Sequence, residues 1–175
     1  MKSTIKLACA VLWLSALGGC AETTALLVLG QSAKDIKETI AWSVGPCFGF
    51  CPVYKVEVDG NGAVRFVGER HTAVLGKKVH EGGPDAYRAI ETALAPYRPG
   101  TGATINTICE QQISDSSSYV LTWTRSDGTV TTLEHDKGCL SPRHTAPNAV
   151  LQTLSRERRI EDWTSQVTRP GDSRG

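Results

Sequence analysis

Four cysteines in the body of this 175-residue chain carry the spacing that could do chemistry: Cys47, Cys51, Cys109 and Cys139. Thiols exchange electrons, ligate metals or close covalent braces, and each use demands different surroundings. Thiol–disulfide catalysts present CxxC at a helix N-terminus, where backbone N–H groups and the helix dipole stabilise the thiolate. Cys47 and Cys51 have one residue more between them, and Pro52 leads into an alternating apolar pattern instead of a helix. Phe48 and Phe50 sit beside the sulfurs, with no adjoining histidine. Zinc requires reduced thiols, usually in CxxC knuckles, and this spacing does not match them. The compartment then decides between reagent and brace.

The compartment is legible at the N-terminus, "MKSTIKLACAVLWLSALGGC". Lys2 and Lys6 give a basic start, and Leu7 to Leu17 is an apolar run broken only by Ser15. Such a run covers about 16 Å as helix, roughly half a bilayer, which marks a signal-peptide core and not a span. It ends in Leu17-Gly18-Gly19-Cys20, similar to a bacterial lipobox, so residues 1–19 read as a lipoprotein signal and Cys20 as the acylated new N-terminus. The competing reading is an ordinary secretory signal cut near Ala21. Several acyl chains, palmitate among them, anchor far more firmly than a single one. In a Gram-negative host, Ala21 in place of the inner-membrane-retaining aspartate favours the outer membrane. The expected location is therefore the bacterial cell envelope, lipid-anchored, facing the periplasm or the cell surface.

Removing residues 1–19 takes two of the 19 Lys and Arg and none of the 18 Asp and Glu, which moves the net charge from +1 to −1. That leaves no basic field to attract nucleic acid or an anionic membrane surface. Cys9 leaves with the signal and Cys20 carries lipid, so an even four cysteines remain for two disulfides in an oxidising compartment. Four cysteines allow three connectivities, and sequence alone does not choose. Our preference is Cys47–Cys51 with Cys109–Cys139. Loop-closure entropy assigns these bridges about 2 and about 3.5 kcal/mol, so the first mainly shapes a turn and the second stabilises more.

The elements around these residues follow from periodicity. Thr39 to Val44 is extended and feeds the cysteine turn. Tyr54, Val56 and Val58 alternate with Lys55, Glu57 and Asp59, the period of a half-buried strand. "DGNG", Asp59 to Gly62, turns the chain, and Val64 and Phe66 continue the apolar face on the return. Ala73 to Val79 adds a further strand. Pro84 and Asp85 open a helix whose Tyr87, Ile90, Leu94 and Tyr97 share one face, and Pro96 and Pro99 stop it. A second hairpin turns at Ser126 to Thr129, and a second helix opens at Pro147. Ile160 and Trp163 form a closing segment. The order hairpin, helix, hairpin, helix predicts an α+β fold: a mainly antiparallel sheet with two helices packed on one face. Residues 39–165 form the single domain, residues 20–38 the anchor and tether, and 166–175 a disordered tail.

With these in place the chain resembles a bacterial domain-of-unknown-function family, DUF6438. The resemblance rests on "CFGFCPVY", Cys47 to Tyr54, and on "DGNGAVRFVG", Asp59 to Gly68, and it extends across about residues 39–163. It implies a small secreted or lipid-anchored domain without an established activity. Because the cysteine pair defines the first motif, it also favours joining Cys47 to Cys51. Cys109 and Cys139 look like an addition to the family pattern.

No other constellation specifies a reaction. His71, His80, His135 and His144 form neither HExxH nor HxH and read as surface or turn residues. No GxSxG elbow frames the serines of "SDSSSY", and the basic run Arg156 to Arg159 reads as a solvated helix end. No metal and no cofactor are expected. The sequence therefore predicts a non-enzymatic, lipid-tethered binding domain, with Phe48 and Phe50 as contact residues if exposed and as core plugs if buried. A thiol–disulfide oxidoreductase at Cys47 and Cys51, or a structural subunit of an outer-membrane assembly, are the alternatives.

Overall fold

The computed structural model describes residues 38–157 and 160–168. The signal segment, the tether with Cys20, Arg158 and Arg159, and residues 169–175 lie outside the described residues. In chain order the elements are β1 (Glu38–Val44), β2 (Val53–Val58), β3 (Ala63–Arg70), β4 (Gly76–Glu81), α1 (Pro84–Leu94), a 3₁₀ turn (Ala95–Tyr97), β5 (Thr104–Asn106), β6 (Ser118–Arg125), β7 (Val130–Asp136), α2 (Pro142–Glu157) and α3 (Glu161–Thr164).

The strands form one seven-stranded sheet in the order β4-β3-β2-β1-β6-β7-β5. Every pairing is antiparallel except β5 with β7. The fold is thus α+β with a mostly antiparallel sheet, as the periodicity predicts. Its core is laid out in three cross-strand rows on one face. Phe66, Val56, Trp42, Leu121 and Leu133 face one another in register, flanked by Val64–Val58–Ile40–Trp123 and by Tyr54–Val44–Tyr119. Tyr87, Ile90 and Leu94 of α1 and Leu151 and Leu154 of α2 close over these rows, joined by Ile160. A fully buried aliphatic or aromatic side chain contributes about 1.5–3 kcal/mol, so these rows dominate stability.

The opposite face follows the alternate residues of the same strands. Its central row runs Val79–Arg65–Glu57–Ala41–Thr122–Thr132–Thr104 across all seven strands. One residue of slip would exchange this polar row for the core row, which is why the register is strongly specified.

A polar clamp holds the start of β1 to the end of α1. Arg98 donates to both carboxylate oxygens of Glu38 at 2.8 and 2.6 Å, and the Tyr87 hydroxyl donates to the same group at 3.2 Å. The guanidinium also lies 5.5 Å from the Trp123 ring centroid. Such two-pronged pairing fixes orientation as well as adding charge-assisted strength.

Four local expectations differ from the structure. Strand β4 begins at Gly76, later than Ala73, and runs on to Glu81. The second helix begins at Pro142, and Pro147 sits inside it. Proline favours the first turn of a helix, which predicts a start at Pro147, but Pro142 is the proline that opens the helix here. The backbone N–H groups of His144 and Thr145 return to the Ser141 carbonyl at 2.8 and 3.0 Å. Strand β5 escapes prediction because three residues carry no readable period. The expected tail is tied down as far as Thr168: Gln166 bridges Thr72, Val167 N–H donates to the His71 carbonyl at 3.3 Å, and Thr168 Oγ1 lies 3.1 Å from His71 Nδ1.

The glycines of "DGNGAVRFVG" have steric reasons. Gly62 has φ 82°, and a Cβ there would overlap the Gly83 carbonyl; at Gly68 a Cβ would overlap the Val74 carbonyl. Gly76, at φ 83°, faces open space. Chemical denaturation should therefore find Gly62→Ala and Gly68→Ala destabilised on the order of 3 kcal/mol. Gly76→Ala should lose only about 1 kcal/mol, from backbone strain.

Candidate functional site: the disulfide end of the sheet

Pairing of β1 with both β2 and β6 brings the two cysteine-bearing regions to the same end of the sheet. Cys47–Cys51 and Cys109–Cys139 are both disulfides, with Cα separations of 5.7 and 5.4 Å. The turn after β1 is tied to the loop before β6. Gly45 N–H donates to the Ser118 carbonyl at 2.9 Å, and Phe48 N–H donates to the Asp115 carbonyl at 3.3 Å. The second bridge braces an antiparallel contact in which Ile113 N–H reaches the Gly138 carbonyl at 2.9 Å and Leu140 N–H reaches the Gln111 carbonyl at 3.1 Å. Asp136 locks that contact by accepting from Gly138 N–H and from Gln112 Nε2, each at 2.6 Å. Two residues near these turns adopt the left-handed region without being glycine, His71 at φ 59° and Asp115 at φ 65°. That conformation persists only where neighbours impose it.

The two phenylalanines divide. Phe50 is half-buried and meets the His71 ring edge-on at 5.3 Å. Phe48 is 88% exposed at the tip of the turn. Thus one aromatic packs against His71 and the other stands in solvent. His71 approaches the cysteine turn through this ring contact, a proximity no local spacing could reveal.

The geometry offers little to thiol chemistry. Cys51 runs through Pro52 into β2, so neither sulfur faces a helix N-terminus. Among the described residues, no cluster of three His, Cys, Asp or Glu is arranged to hold a metal ion.

His135 corrects the reading of all four histidines as surface residues. It is buried, because β7 turns Thr131, Leu133 and His135 inward on alternate positions. Its Nδ1 lies 3.1 Å from Thr107 Oγ1, while Nε2 makes no hydrogen bond among the described residues. Burial lowers its pKa below the usual 6.5; the charge of His144 pushes the same way, while Asn148, the His144 backbone and Asp136 oppose. His144 instead pairs with Ser141 Oγ at 2.8 Å. A groove of about 380 Å³ runs beside this pair, lined by Tyr97, Ile105, Leu133 and Arg143 among others. Arg143 forms an ion pair with Glu110. The Lys137 ammonium lies 5.0 Å from the Tyr119 ring centroid, and burial lowers its pKa.

Two outcomes follow. Replacing Cys109 and Cys139 by serine should cost about 3.5 kcal/mol in urea denaturation and replacing Cys47 and Cys51 about 2 kcal/mol, so the ranking itself tests the entropy account. Below pH 6.5 the unfolded chain binds a proton at residue 135 that the folded chain resists. Stability should decline as pH falls from 6.5 towards the lower folded-state pKa. His135→Gln should flatten that decline; an unchanged slope would place the titration elsewhere.

No curated protein matches the chain. The family model described as "Domain of unknown function (DUF6438)" matches residues 38–160, from the first residue of β1 to the core residue Ile160. That interval takes in the whole sheet, both disulfides and the two longer helices. The chain therefore belongs to the DUF6438 family of domains of unknown function.

Proposed function

We propose that this is a lipid-anchored protein of the bacterial envelope whose domain is a non-enzymatic interaction module, working through the disulfide end of the sheet. The observation that carries this reading is Phe48, 88% exposed on a turn closed by Cys47–Cys51 and held against Asp115. An aromatic side chain on a fixed turn loses little freedom on binding, so most of its buried area becomes affinity. Aromatic anchors of this kind dominate the energetics of many interfaces. Export is supported by the signal pattern ending in Leu17-Gly18-Gly19-Cys20 and by two disulfides, which persist in oxidising compartments. Acylation at Cys20 supplies the membrane partner, and the outer membrane is the location favoured by Ala21.

Thiol–disulfide exchange is the competing reading, supported by the half-buried state of both Cys47 and Cys51. It requires a low-pKa attacking thiol, for which the strand following Cys51 provides no dipole.

Fractionation of cells carrying Cys20→Ala should move the protein out of the membrane fraction; retention there would remove the anchor from the account. In intact cells, photo-crosslinking from Phe48→benzoylphenylalanine should give discrete adducts, and from Val79→benzoylphenylalanine should not. Equal adducts from both positions, or none from position 48, would contradict a contact role for the turn.

A further inference from the structure

Exposed apolar side chains are distributed unevenly over this domain. Nine large ones stand in solvent among the described residues, and six of them lie at the disulfide end: Phe48, Leu75, Ile108, Ile113, Leu140 and Val167. Strands β1, β3, β5 and β7 end there, and β2, β4 and β6 begin there. Of the other three, Val79 and Ile105 are in edge strands, and Val130 marks the opposite end. Scattered surface apolars need no explanation, whereas their collection in one place marks an interaction surface.

Five of the six occupy connecting turns at this end of the sheet. Leu75 lies in the turn between β3 and β4, Phe48 between β1 and β2, Ile113 before β6, Leu140 after β7 and Ile108 after β5. With strands about 4.8 Å apart, these tips span roughly 29 Å across the seven strands. Val167 joins them through its backbone bond to His71. The charges agree: Glu110 is paired with Arg143 and Asp136 is engaged by Gln112. Arg70, Lys77 and Lys78, all exposed, flank the turn that carries Leu75, against exposed Glu69 and Asp115. Cations beside an apolar tip sit where lipid phosphates lie when the tip enters the acyl boundary. The chain's near-zero net charge offers no long-range attraction, so apolar contact leads and the cations follow.

We propose that the disulfide end of the sheet is a bilayer-contact surface, with Phe48 and Ile108 entering the interface and Lys77 and Lys78 meeting lipid phosphates. This rests on reading that end as a contact surface and names a phospholipid bilayer as its occupant. The anchor permits it. Seventeen residues separate Cys20 from Glu38, a reach of up to about 58 Å fully extended, against about 26 Å for the longest strands. A chain entering at the far end of β1 can thus still lay the disulfide end on the membrane that holds it.

The test uses the full protein, purified from its host's membranes and reconstituted into phosphatidylethanolamine–phosphatidylglycerol vesicles containing no other protein. Benzoylphenylalanine replaces Phe48, Ile108 or, as control, Val79, and lipid adducts are measured by mass spectrometry. Positions 48 and 108 should yield lipid adducts well above position 79, and Lys77→Glu with Lys78→Glu should reduce the yield at 48. Lipid adducts at 48 no more abundant than at 79 would overturn the proposal. If the position-48 probe captures protein in cells yet no lipid in vesicles, the contact role of the turn survives and the bilayer assignment fails. If it captures neither, both fall.

Discussion

Strand β1 sits between β2 and β6, and the organisation of the domain depends on that two-sided pairing. Its inward residues Ile40, Trp42 and Val44 are almost wholly buried, each faced by one core residue from either neighbour. The two halves of the chain, one hairpin and helix each, become a single sheet only through this strand. Its register also sets what lies at its ends. The Glu38–Arg98 clamp closes one end, and the cysteine turn meets the loop before β6 at the other. A core decision made by alternating side chains therefore brings two disulfides to the same end of the sheet.

Those disulfides do different physical work. Cys139 is buried and holds the loop of Cys109 against the end of β7, so its bridge consolidates the β6-β7-β5 side of the sheet. Cys47–Cys51 closes a short turn and restricts few unfolded conformations, so its effect is local shape. A domain with total stability of roughly 5–15 kcal/mol gains appreciably from either constraint. More important for function is rigidity at the solvent-facing tips, because side chains that need no ordering bind with less loss of entropy. The family match assigns no activity, and the half-buried sulfurs leave the turn's aromatic tip as its most exposed chemical feature.

Much of this was legible in the sequence, for physical reasons that can be named. Alternation in Tyr54–Val58 identified a strand and its inward face, and the three-four spacing from Tyr87 to Leu94 identified α1. The cysteine motif and the glycine-rich hairpin carried the family resemblance. Other features depend on tertiary contact. Thr104–Asn106 becomes a strand only because β7 offers a parallel partner. His135 looked polar and peripheral, yet the alternation that buries Leu133 buries it as well; extending the period two residues would have revealed it. Phe48 and Phe50 flank the same glycine, and sequence gave them one fate. The turn separates them, placing one against His71 and the other in water.

The claim underlying all of this is that the sulfurs are structural braces in a protein that has left the cytosol. Peptide mapping of native protein under non-reducing conditions, after alkylation in intact cells, addresses it directly. The account predicts peptides joined as Cys47–Cys51 and Cys109–Cys139 in nearly every molecule, with Cys20 at the N-terminus carrying acyl chains. Alkylated Cys47 and Cys51 in the bulk of the protein, on a chain retaining its first nineteen residues, would contradict it.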